Sequence, residues 1–483
     1  MTKDYEVVIG LEVHAQLLTH SKMFCGCSSA FGATPNGQTC PICQGTPGVL
    51  PVVNRRAIEF AIRTARALHC RINASCRFAR KHYFYPDMPK NFQISQYEEP
   101  LAEEGRLEVE YEGRLRRIGI QRLHLEEDVG KLVHPTAFAE AAWSWVDFNR
   151  SGVPLMEIVS KPDLREPAEA AEYVRQLRGI LRALQVCDGN MEEGSLRCDA
   201  NISLRLRGSH DFGVKVEIKN MNSFKHVQRA LEFEATRQAR ALARGERIVQ
   251  ETRLFNPDKG ETRSMRSKEY AHDYRYFPEP DLVPLHVNPA WVKEIEASLP
   301  ELPRARRQRF QAQYGLPLYD ADLLTADRAL ADFYEEVVRL HPNPKAASNW
   351  IMSELLRELR GEPAAVVNSP IRPNHLAALL RLQDEGTISG KIAKELFERM
   401  ARTGEDPEAI VREEGLVQVA DSAALSKVVE EVVAKHPQAV SDFREGKKQS
   451  LGFLVGQVMR ATQGKANPQL VNQLLLERLA PPA

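Results

Sequence analysis

The chain has 483 residues, a length that predicts about three domains, and its 43% hydrophobic and 27% charged residues are typical of a soluble globular protein. Its 65 basic and 65 acidic side chains cancel, which excludes an overall positive field, so a nucleic-acid partner would have to be held by local basic patches. No run approaches the ~20 apolar residues of a membrane-spanning helix, and the first residues lack the apolar stretch of a signal peptide, so we predict a cytoplasmic protein with no membrane partner.

The part of the chain before about residue 290 is predicted to be rich in β-strands. Its first strand, residues 5–16, alternates so that Glu12, His14 and Gln16 share one face. The elements predicted next are a helix over 54–68, an aromatic and cationic loop over 81–93, a hairpin of strands 107–111 and 115–129, a strand over 153–160 and a helix over 166–184. Strands separated by turns and a few helices favour an antiparallel sheet.

The stretch over 188–223 carries an unusual row of polar side chains. In a predicted strand over 195–207, Arg197, Asp199 and Asn201 share one face, opposite a continuous apolar face. A solvated outer face is the ordinary interpretation of such a pattern. However, Asp and Asn are poor strand formers. Residues that disfavour the secondary structure in which they lie are typical of functional positions.

A second predicted strand, residues 214–220, follows a glycine-containing turn and completes a hairpin. It places Glu217 and Lys219 on its polar face. A helix over 224–243 comes next, capped by a polar residue at 222 or 223, and the free N–H groups at its start could hold a phosphate. Together these features indicate a surface that binds a metal and a nucleotide.

Acidic side chains recur on the polar faces or ends of several predicted strands. The set consists of one histidine, His14, and the acids Glu12, Glu126, Glu127, Asp128, Glu157, Asp199 and Glu217. Each acid alone is more often an ordinary surface residue, but acids on neighbouring strands can converge on one cation, and oxygen ligands favour Mg²⁺. His14 is an unusual magnesium ligand, which could act through water or select Mn²⁺. Residues 386–391 resemble a P-loop but are one residue short, so we predict a helix start there and any ATP on the sheet face.

Four cysteines are spaced as two close pairs. Cys25 and Cys27 precede Cys40 and Cys43 by twelve residues, a pattern that fits a tetrahedral structural Zn²⁺ in a reducing compartment. The alternative is four ordinary thiols, since one intervening residue in the first pair is less common than two. Four thiolates leave no open coordination position, so this zinc would order a loop and take no part in catalysis.

Beyond a proline-rich stretch at 280–303, nearly all of the chain is predicted to be helical. The predicted helices are 304–314, 326–340, 346–360, 372–384 and 389–402, followed by a boundary near 403–406 and a small helical module. The basic side chains of this module that could contact RNA phosphates are Lys447, Lys448, Arg460 and Lys465. A solvated helical surface is the ordinary alternative for such a small local excess of charge.

Several long motifs resemble those of one protein family. They are GLEVH at 10–14, PGVLP at 47–51, FYPD at 84–87, MEEGSLRCDAN at 191–201, DYRYFPEPD at 273–281, GFLVG at 452–456 and ANP at 466–468. These motifs are similar to those of the B subunits of tRNA-dependent aspartyl/glutamyl amidotransferases, and the matches extend from residue 5 to about residue 475.

The resemblance implies an α+β fold of three domains. These are a kinase-like antiparallel-sheet cradle domain over 1–292, an all-helical domain over 293–405 and a small helical tail domain over 406–483 that recognises tRNA. It also implies a heterotrimer with an amidase A subunit and a small C subunit, which acts on tRNA(Gln), tRNA(Asn) or both. The zinc cysteines occur in only part of the family and are all present here.

The activity implied by the resemblance is a ligase reaction of protein biosynthesis with glutamine as amido donor. ATP and Mg²⁺ phosphorylate the side-chain carboxylate of Glu-tRNA(Gln) or Asp-tRNA(Asn), and ammonia from the amidase displaces the phosphate. The residues implied for catalysis and magnesium are Glu12, His14, Glu126 or Glu127, and Glu157. Strand alternation favours Glu126 as the metal ligand, whereas the family resemblance favours Glu127. A β-bulge would reconcile the two assignments. The candidates for holding ATP are Lys90, Arg197, Asp199, Asn201, Glu217 and Lys219, with Lys215 as a further source of positive charge.

Two other functions are compatible with the residues alone. The chain could be a non-catalytic, zinc-stabilised tRNA-binding scaffold whose acidic face is structural, or a free-standing carboxylate–amine ligase that works without tRNA. We find no amidase-like Gly/Ser-rich stretch and no cysteine in a glutaminase-like context, so the chain has no evident means of releasing ammonia from glutamine. An amidase partner is therefore expected on chemical grounds as well.

Overall fold

The protein is described by a computed structural model over residues 4–133, 143–267, 271–416, 422–445, 447, 449–462, 466 and 468–479. The chain divides into two compact units, Met1–Leu302 and Pro303–Ala483. The first contains a large sheet with helices packed on it, and the second is helical. The predicted α+β fold class is confirmed at this level, as a mixed, antiparallel-rich sheet region followed by a helical region. None of the helices in the described ranges is long and apolar enough to cross a membrane.

The first unit contains both strands and helices. Its strands are β1 (Tyr5–Gln16), β2 (Arg71–Ile72), β3 (Ser75–Cys76), β4 (Ala79–His82), β5 (Phe92–Ser95), β6 (Ala102–Tyr111), β7 (Arg114–Glu127), β8 (Lys131–Val133), β9 (Trp145–Asp147), β10 (Pro154–Ser160), β11 (Leu196–Leu206), β12 (Val216–Lys219), β13 (Glu251–Asn256), β14 (Glu261–Ser267), β15 (Phe277–Pro278) and β16 (Leu285–His286). Its helices are α1 (Pro41–Gln44), α2 (Arg55–Ala67), α3 (Pro167–Ala183), α4 (Phe224–Ala243) and α5 (Pro289–Ala297).

Within the described residues, nine strands form one sheet in the order β14, β13, β12, β11, β1, β10, β7, β6, β2. Neighbouring strands of this sheet are antiparallel, except for the parallel pair β12 and β13. The predicted hairpin of β11 and β12 is confirmed, although its second strand begins at Val216, two residues later than predicted, and leaves Lys215 outside the strand. The hairpin of β6 and β7 is also confirmed, with β6 starting five residues earlier than predicted.

The two faces of the sheet differ as the alternation predicts. On β1, Leu11 and Val13 are fully buried, while Glu12 and His14 are only half-buried on the opposite face. The apolar face packs in one hydrophobic core with residues of α2, α3 and α4. Each fully buried Leu or Ile contributes roughly 2 kcal/mol to this packing. Helix α4 begins at the predicted residue, and the hydroxyl of Ser223 caps it by accepting a hydrogen bond from the backbone N–H of His226.

A β-bulge interrupts the alternation of β7. Ser160 of β10 pairs with Ile120, but the adjacent Val159 pairs with Arg122, so Gln121 is an extra residue on β7. An extra residue in one strand shifts every later side chain to the other face of the sheet.

The bulge decides which side chains of β7 reach the polar face. Ile120 points into the apolar core before the bulge and Leu123 does so after it. The even-numbered residues that follow, Arg122, His124 and Glu126, are therefore turned away from that core. Without the bulge they would point into it.

The second unit consists of helices in its described residues. They are α6 (Pro303–Tyr314), α7 (Leu318–Thr325), α8 (Arg328–Leu340), α9 (Pro344–Trp350), α10 (Leu356–Glu358), α11 (Pro373–Asp384), α12 (Gly390–Thr403), α13 (Pro407–Glu414), α14 (Ser422–Lys435), α15 (Pro437–Arg444), α16 (Gln449–Ala461) and α17 (Pro468–Leu479). In these residues one hydrophobic cluster involves positions 310–411 and another involves positions 425–479. The domain boundaries placed near residues 292 and 405 stay predictions.

Two details of this unit bear on the predictions. The helix predicted over 346–360 is interrupted, because a π-helical segment, Ile351–Leu355, separates α9 from α10. Ile351 and Leu355 are both fully buried. The predicted helix start at 386–391 is confirmed, since Ser389 caps α12.

Candidate functional site

The polar face of the sheet brings together one imidazole and two carboxylates from three adjacent strands. His14 lies opposite Glu157 in the β1 and β10 pair, and Glu157 lies opposite His124 in the β10 and β7 pair. One ligand atom each of His14, Glu126 and Glu157 lies within 4.8 Å of the others. His14 Nε2 is 3.5 Å from Glu157 Oε2 and 3.9 Å from Glu126 Oε1.

Glu126 and Glu127 have different environments. The Glu126 carboxylate belongs to the cluster and also accepts a hydrogen bond of 3.2 Å from the Ser95 hydroxyl. The Glu127 carboxylate forms an ion pair with Lys90 and accepts a 2.9 Å hydrogen bond from the Ile94 backbone N–H. Glu127 pairs with Pro154 in the same register in which Glu126 pairs with Leu155, so no bulge separates the two glutamates. The bulge that turns Glu126 to the polar face lies earlier in β7, at Gln121.

The cluster has two carboxylates and one imidazole, so it carries more negative charge than His14 can neutralise. Burial opposes protonation of His14, but Glu157 and then Glu126 raise its pKa to about 9. Burial raises the pKa of Glu12 above its usual value, and the neighbouring Glu157, Glu217 and Asp199 raise it further. A divalent cation would relieve this repulsion, so the residues fit a metal ion with mainly oxygen ligands.

Further predicted residues line the same face on the other side of β1. The Asn201 side-chain amide donates a 2.9 Å hydrogen bond to Glu12 Oε1. Lys219 Nζ lies 2.6 Å from Asp199 Oδ2 and 3.5 Å from Glu217 Oε1. Glu217 Oε2 accepts a 2.7 Å hydrogen bond from the Thr252 hydroxyl. These side chains form a continuous polar strip with Glu12, because Glu12 pairs with Asp199 and Asn201 pairs with Glu217.

Three of the basic residues expected at the site are paired with acids of the protein. Arg197 Nη2 lies 3.0 Å from Asp128 Oδ2, which also accepts a 2.7 Å hydrogen bond from the Gln16 side chain. Lys90 is paired with Glu127, and Lys219 with Asp199. Their charges are therefore already used to stabilise carboxylates.

Three residues of this region were missed by reasoning from sequence. They are His124 and Arg122, which the bulge turns to the polar face, and Lys81 on β4. His124 is buried, and its Nε2 lies 3.2 Å from Glu157 Oε2. Burial lowers the pKa of Lys81, but nearby groups raise it above its usual value. Glu126 has the strongest of these effects, and Glu157 contributes as well. The signal for the first two was the shift of apolar residues from even to odd positions after Ile120.

The four predicted cysteine ligands converge. One sulfur atom each of Cys25, Cys27, Cys40 and Cys43 lies within 4.8 Å of the others, and Cys40 Sγ is 3.9 Å from Cys43 Sγ. A zinc–sulfur bond of about 2.3 Å implies sulfur atoms about 3.8 Å apart in a tetrahedron, so the cluster fits this ion. The pKa of Cys43 is lowered to about 4, mainly by hydrogen bonding with Cys25 and also by Lys22, whose Nζ is 3.6 Å from that sulfur. The other four cysteines, Cys70, Cys76, Cys187 and Cys198, are buried.

A cavity of about 250 Å³ adjoins the cysteine cluster. Its lining includes Cys25, Cys43, Lys90 and Glu127. Glu127 thus lines a cavity beside the four-cysteine loop and is not a member of the His14 cluster.

The predicted RNA contacts in the C-terminal module are only partly described. Lys447 Nζ lies 2.9 Å from Asp442 Oδ1, and Arg460 is exposed on α16. Lys448 and Lys465 lie outside the described residues.

Comparison with known proteins gives full-length matches. A family model described as the GatB/GatE catalytic domain matches residues 7–293, and one described as the GatB domain matches residues 332–479. Three relatives are named as the B subunits of aspartyl/glutamyl-tRNA(Asn/Gln) amidotransferases. The Carboxydothermus hydrogenoformans protein is 55% identical over 99% of both chains. The Moorella thermoacetica protein is 56% identical over 99% of this chain and 100% of its own. The Thermodesulfovibrio yellowstonii protein is 55% identical over 98% of this chain and 99% of its own.

Proposed function

Since this chain belongs to the family of aspartyl/glutamyl-tRNA(Asn/Gln) amidotransferase B subunits, we propose that it activates the side-chain carboxylate of Glu-tRNA(Gln), Asp-tRNA(Asn) or both for amidation. The family resemblance predicted from the motifs is confirmed, and the chain is a subunit of a ligase-type amidotransferase. The substrates, the cofactors and the roles of single residues are the content of the proposal.

The observation that carries the proposal is the convergence of His14, Glu126 and Glu157 beside the polar strip of Glu12 and Asp199. A Mg²⁺ ion held there would neutralise charge on the β- and γ-phosphates of ATP, which is the main requirement of phosphoryl transfer. We assign the metal to His14, Glu126 and Glu157, and propose that Glu12, whose pKa Glu157 raises, adds negative charge beside it. Glu126 is preferred to Glu127 because only its carboxylate belongs to the cluster.

The proposed reaction has two steps on one face of the sheet. A carboxylate oxygen of the substrate attacks the γ-phosphorus of ATP and releases ADP, which gives an acyl phosphate. Ammonia then attacks the acyl carbon and releases phosphate, which gives the amide. The paired lysines and arginine, Lys90, Lys219 and Arg197, hold the surrounding carboxylates in place. Asn201 and Glu217 lie on the same polar strip and are proposed to contribute to the ATP site there.

The four-cysteine cluster is proposed to hold a structural Zn²⁺. Four sulfur ligands complete a tetrahedral site, so this ion would order the loop that lines the cavity near Glu127 and would not bind substrate.

The assembly is proposed to be a heterotrimer with an amidase A subunit and a small C subunit. The amidase would supply ammonia from glutamine, and the C-terminal residues 406–483 would recognise tRNA with basic side chains such as Lys447 and Arg460. Within this proposal the first unit is the kinase-like cradle of the enzyme.

The test uses the complex that this chain forms with its amidase partner. We would measure ATP-dependent conversion of Glu-tRNA(Gln) and Asp-tRNA(Asn) to the amides, with ammonium chloride as nitrogen donor. Glu157→Gln should abolish conversion and ADP formation, while Glu294→Gln, which removes an exposed carboxylate of the same unit, should leave both unchanged. Tight tRNA binding without ADP or amide formation by the unmodified complex would instead indicate a non-catalytic scaffold.

A further inference from the structure

Arg122 occupies a position on the polar face that no motif singled out. It follows the bulge at Gln121 and comes two residues before His124 on β7. In the register of the sheet it lies opposite Val159, which itself lies opposite Glu12. Arg122 therefore belongs to the same row of side chains as Glu12, one strand beyond β10.

The Arg122 guanidinium lacks an acidic partner in the part of the chain that the structure describes. Its Nε is buried without a hydrogen-bond partner, and its Cζ lies 6.0 Å from the centre of the Tyr97 ring. Arg197, Lys90 and Lys219, by contrast, all have carboxylate partners. A buried cationic donor with no partner is costly in a protein that does not use it.

Lys81 is a second cation of this kind. Its Nζ lies 5.0 Å from the centre of the Tyr274 ring, and across the described ranges it has no ion pair within 4.0 Å. Its strand β4 pairs with β5, whose Ser95 hydroxyl donates a hydrogen bond to Glu126, and Glu126 is the main group that raises the Lys81 pKa against the effect of burial. Lys81 and Arg122 thus provide positive charge at the edge of an acidic site.

A row of three tyrosine rings connects the two cations. Tyr97 and Tyr276 are stacked, with ring centres 4.1 Å apart and planes inclined by 6°, and the Tyr276 ring lies 6.1 Å from the Tyr274 ring. Burial raises the pKa of the Tyr276 hydroxyl to about 12, and the charges of Lys81 and Arg122 lower it while Glu126 and Glu157 raise it. The charges of both cations and of two acids of the cluster therefore act on this hydroxyl.

We propose that Arg122 and Lys81 form an oxyanion subsite that holds the phosphoryl group as it passes from ATP to the substrate carboxylate. The planar donors of an arginine match the oxygens of a phosphoryl group, and a lysine adds a mobile point charge. In this step a bond forms between the carboxylate oxygen and the γ-phosphorus. The bond from that phosphorus to the bridging oxygen breaks, and its electron pair leaves with ADP.

The chemistry explains why such a subsite is needed. Two anions, the carboxylate and the γ-phosphate, must approach each other on a face that already carries several acids. A metal ion on His14, Glu126 and Glu157 would supply part of the positive charge that the phosphoryl group needs, and Arg122 and Lys81, which have no ion pair among the described residues, would supply the rest. This inference rests on the proposed kinase function of the same face.

The experiment compares Arg122→Gln with Arg117→Gln in the complete complex with the amidase partner. Arg117 is exposed on the same strand, so its replacement removes an equal charge outside the site. We expect Arg122→Gln to lower kcat for ATP-dependent amidation about 100-fold. The KM for aminoacyl-tRNA and the affinity for Mn²⁺, measured by electron paramagnetic resonance, should stay within about threefold, because neither depends on this subsite. Arg117→Gln should match the unmodified complex.

A second measurement tests the phosphoryl group itself. ADP with aluminium fluoride imitates a phosphoryl group in transfer and should inhibit the unmodified complex strongly. Its inhibition constant should rise at least tenfold in Arg122→Gln and in Lys81→Gln, and Arg122→Lys should recover part of the loss. If Arg122→Gln does not assemble, the Lys81→Gln and Arg122→Lys variants decide the question.

The outcomes separate the two proposals. An unmodified complex that shows no ATP-dependent amidation overturns the kinase function and this inference with it. An active complex in which Arg122→Gln behaves like Arg117→Gln overturns the subsite alone. Loss of Mn²⁺ binding in Arg122→Gln would also overturn it, because the residue would then support the metal site and not the phosphoryl group.

Discussion

His124 Nε2 lies 3.2 Å from Glu157 Oε2, and the two residues face each other across the β7 and β10 pair. Both side chains are buried or nearly so. Burial opposes ionisation of Glu157, but His124 and then His14 hold its pKa well below the usual value. One oxygen of the proposed metal ligand is therefore fixed in place by a histidine from the neighbouring strand.

Replacement of His124 should weaken metal binding without removing a ligand. We expect His124→Gln to lower the affinity for Mn²⁺ by about 10- to 100-fold, the usual effect of losing a group that orients a ligand. Titration with Mn²⁺ followed by electron paramagnetic resonance would measure it. His286→Gln, at an exposed position on β16, is the control, and equal affinities in the two variants would contradict the orienting role.

The two adjacent glutamates of β7 should differ sharply. Glu126→Gln should reduce Mn²⁺ affinity by at least about tenfold, because its carboxylate lies in the cluster with His14 and Glu157. Glu127→Gln should leave the affinity within about twofold, because that carboxylate is bound to Lys90 and to the Ile94 backbone. The same titration distinguishes them, and the reverse order of effects would assign the metal to Glu127.

The cysteine cluster should bind one zinc ion per chain. Cys43→Ser should reduce the zinc content, measured by mass spectrometry of the metal, from about one ion per chain to nearly none, and should lower Tm. Cys187→Ala is a matched control, because it also alters a buried thiol but one outside the cluster. Full zinc content in Cys43→Ser would show that the cluster is not the binding site.

Glu335 should make the second unit sensitive to acid. Burial tends to raise its pKa, but Arg309 and Arg306 outweigh this and lower it to about 2. Because the folded pKa is below the unfolded one, near 4.5, the stabilisation is present above pH 4.5 and is lost as the pH falls towards 2.

The effect can be measured from the difference in Tm between the unmodified chain and Glu335→Gln. We expect this difference to be largest near pH 6 and to shrink steadily between about pH 4.5 and pH 3. Glu385→Gln, which removes an exposed carboxylate of the same unit, corrects for the change in net charge. A difference in Tm that stays constant from pH 6 to pH 3 would show that the Arg309 and Arg306 contacts do not stabilise the fold.

Much of the first unit could be predicted from local patterns. Strict alternation of polar and apolar residues assigned Glu12 and His14 to one face of β1 and Asp199 and Asn201 to one face of β11, and the spacing of apolar residues located helix α4 to the residue. These predictions succeed because the period of a strand or a helix is a property of the chain itself. The cysteine spacing likewise predicted which four sulfur atoms meet.

The membership of the site depended on tertiary structure. Alternation gives the faces of one strand but not the register between strands, so it could not show that Glu157 lies between His14 and His124. Nor could it show that Arg197 and Lys90 are occupied by Asp128 and Glu127. Strands β13 and β14 were also missed, although they pair with each other as a local hairpin, and the parallel pairing that joins β13 to β12 could not be read from local patterns.

The bulge at Gln121 shows the division most clearly. The sequence by itself determined that apolar residues change from even to odd positions between Ile120 and Leu123. The pairing with β10 leaves one residue over at that point, and for this reason Arg122 and Glu126 lie on the polar face of the sheet and not in the core. The physical reason is that a bulge is a mismatch between two strands, so it exists only once both are paired.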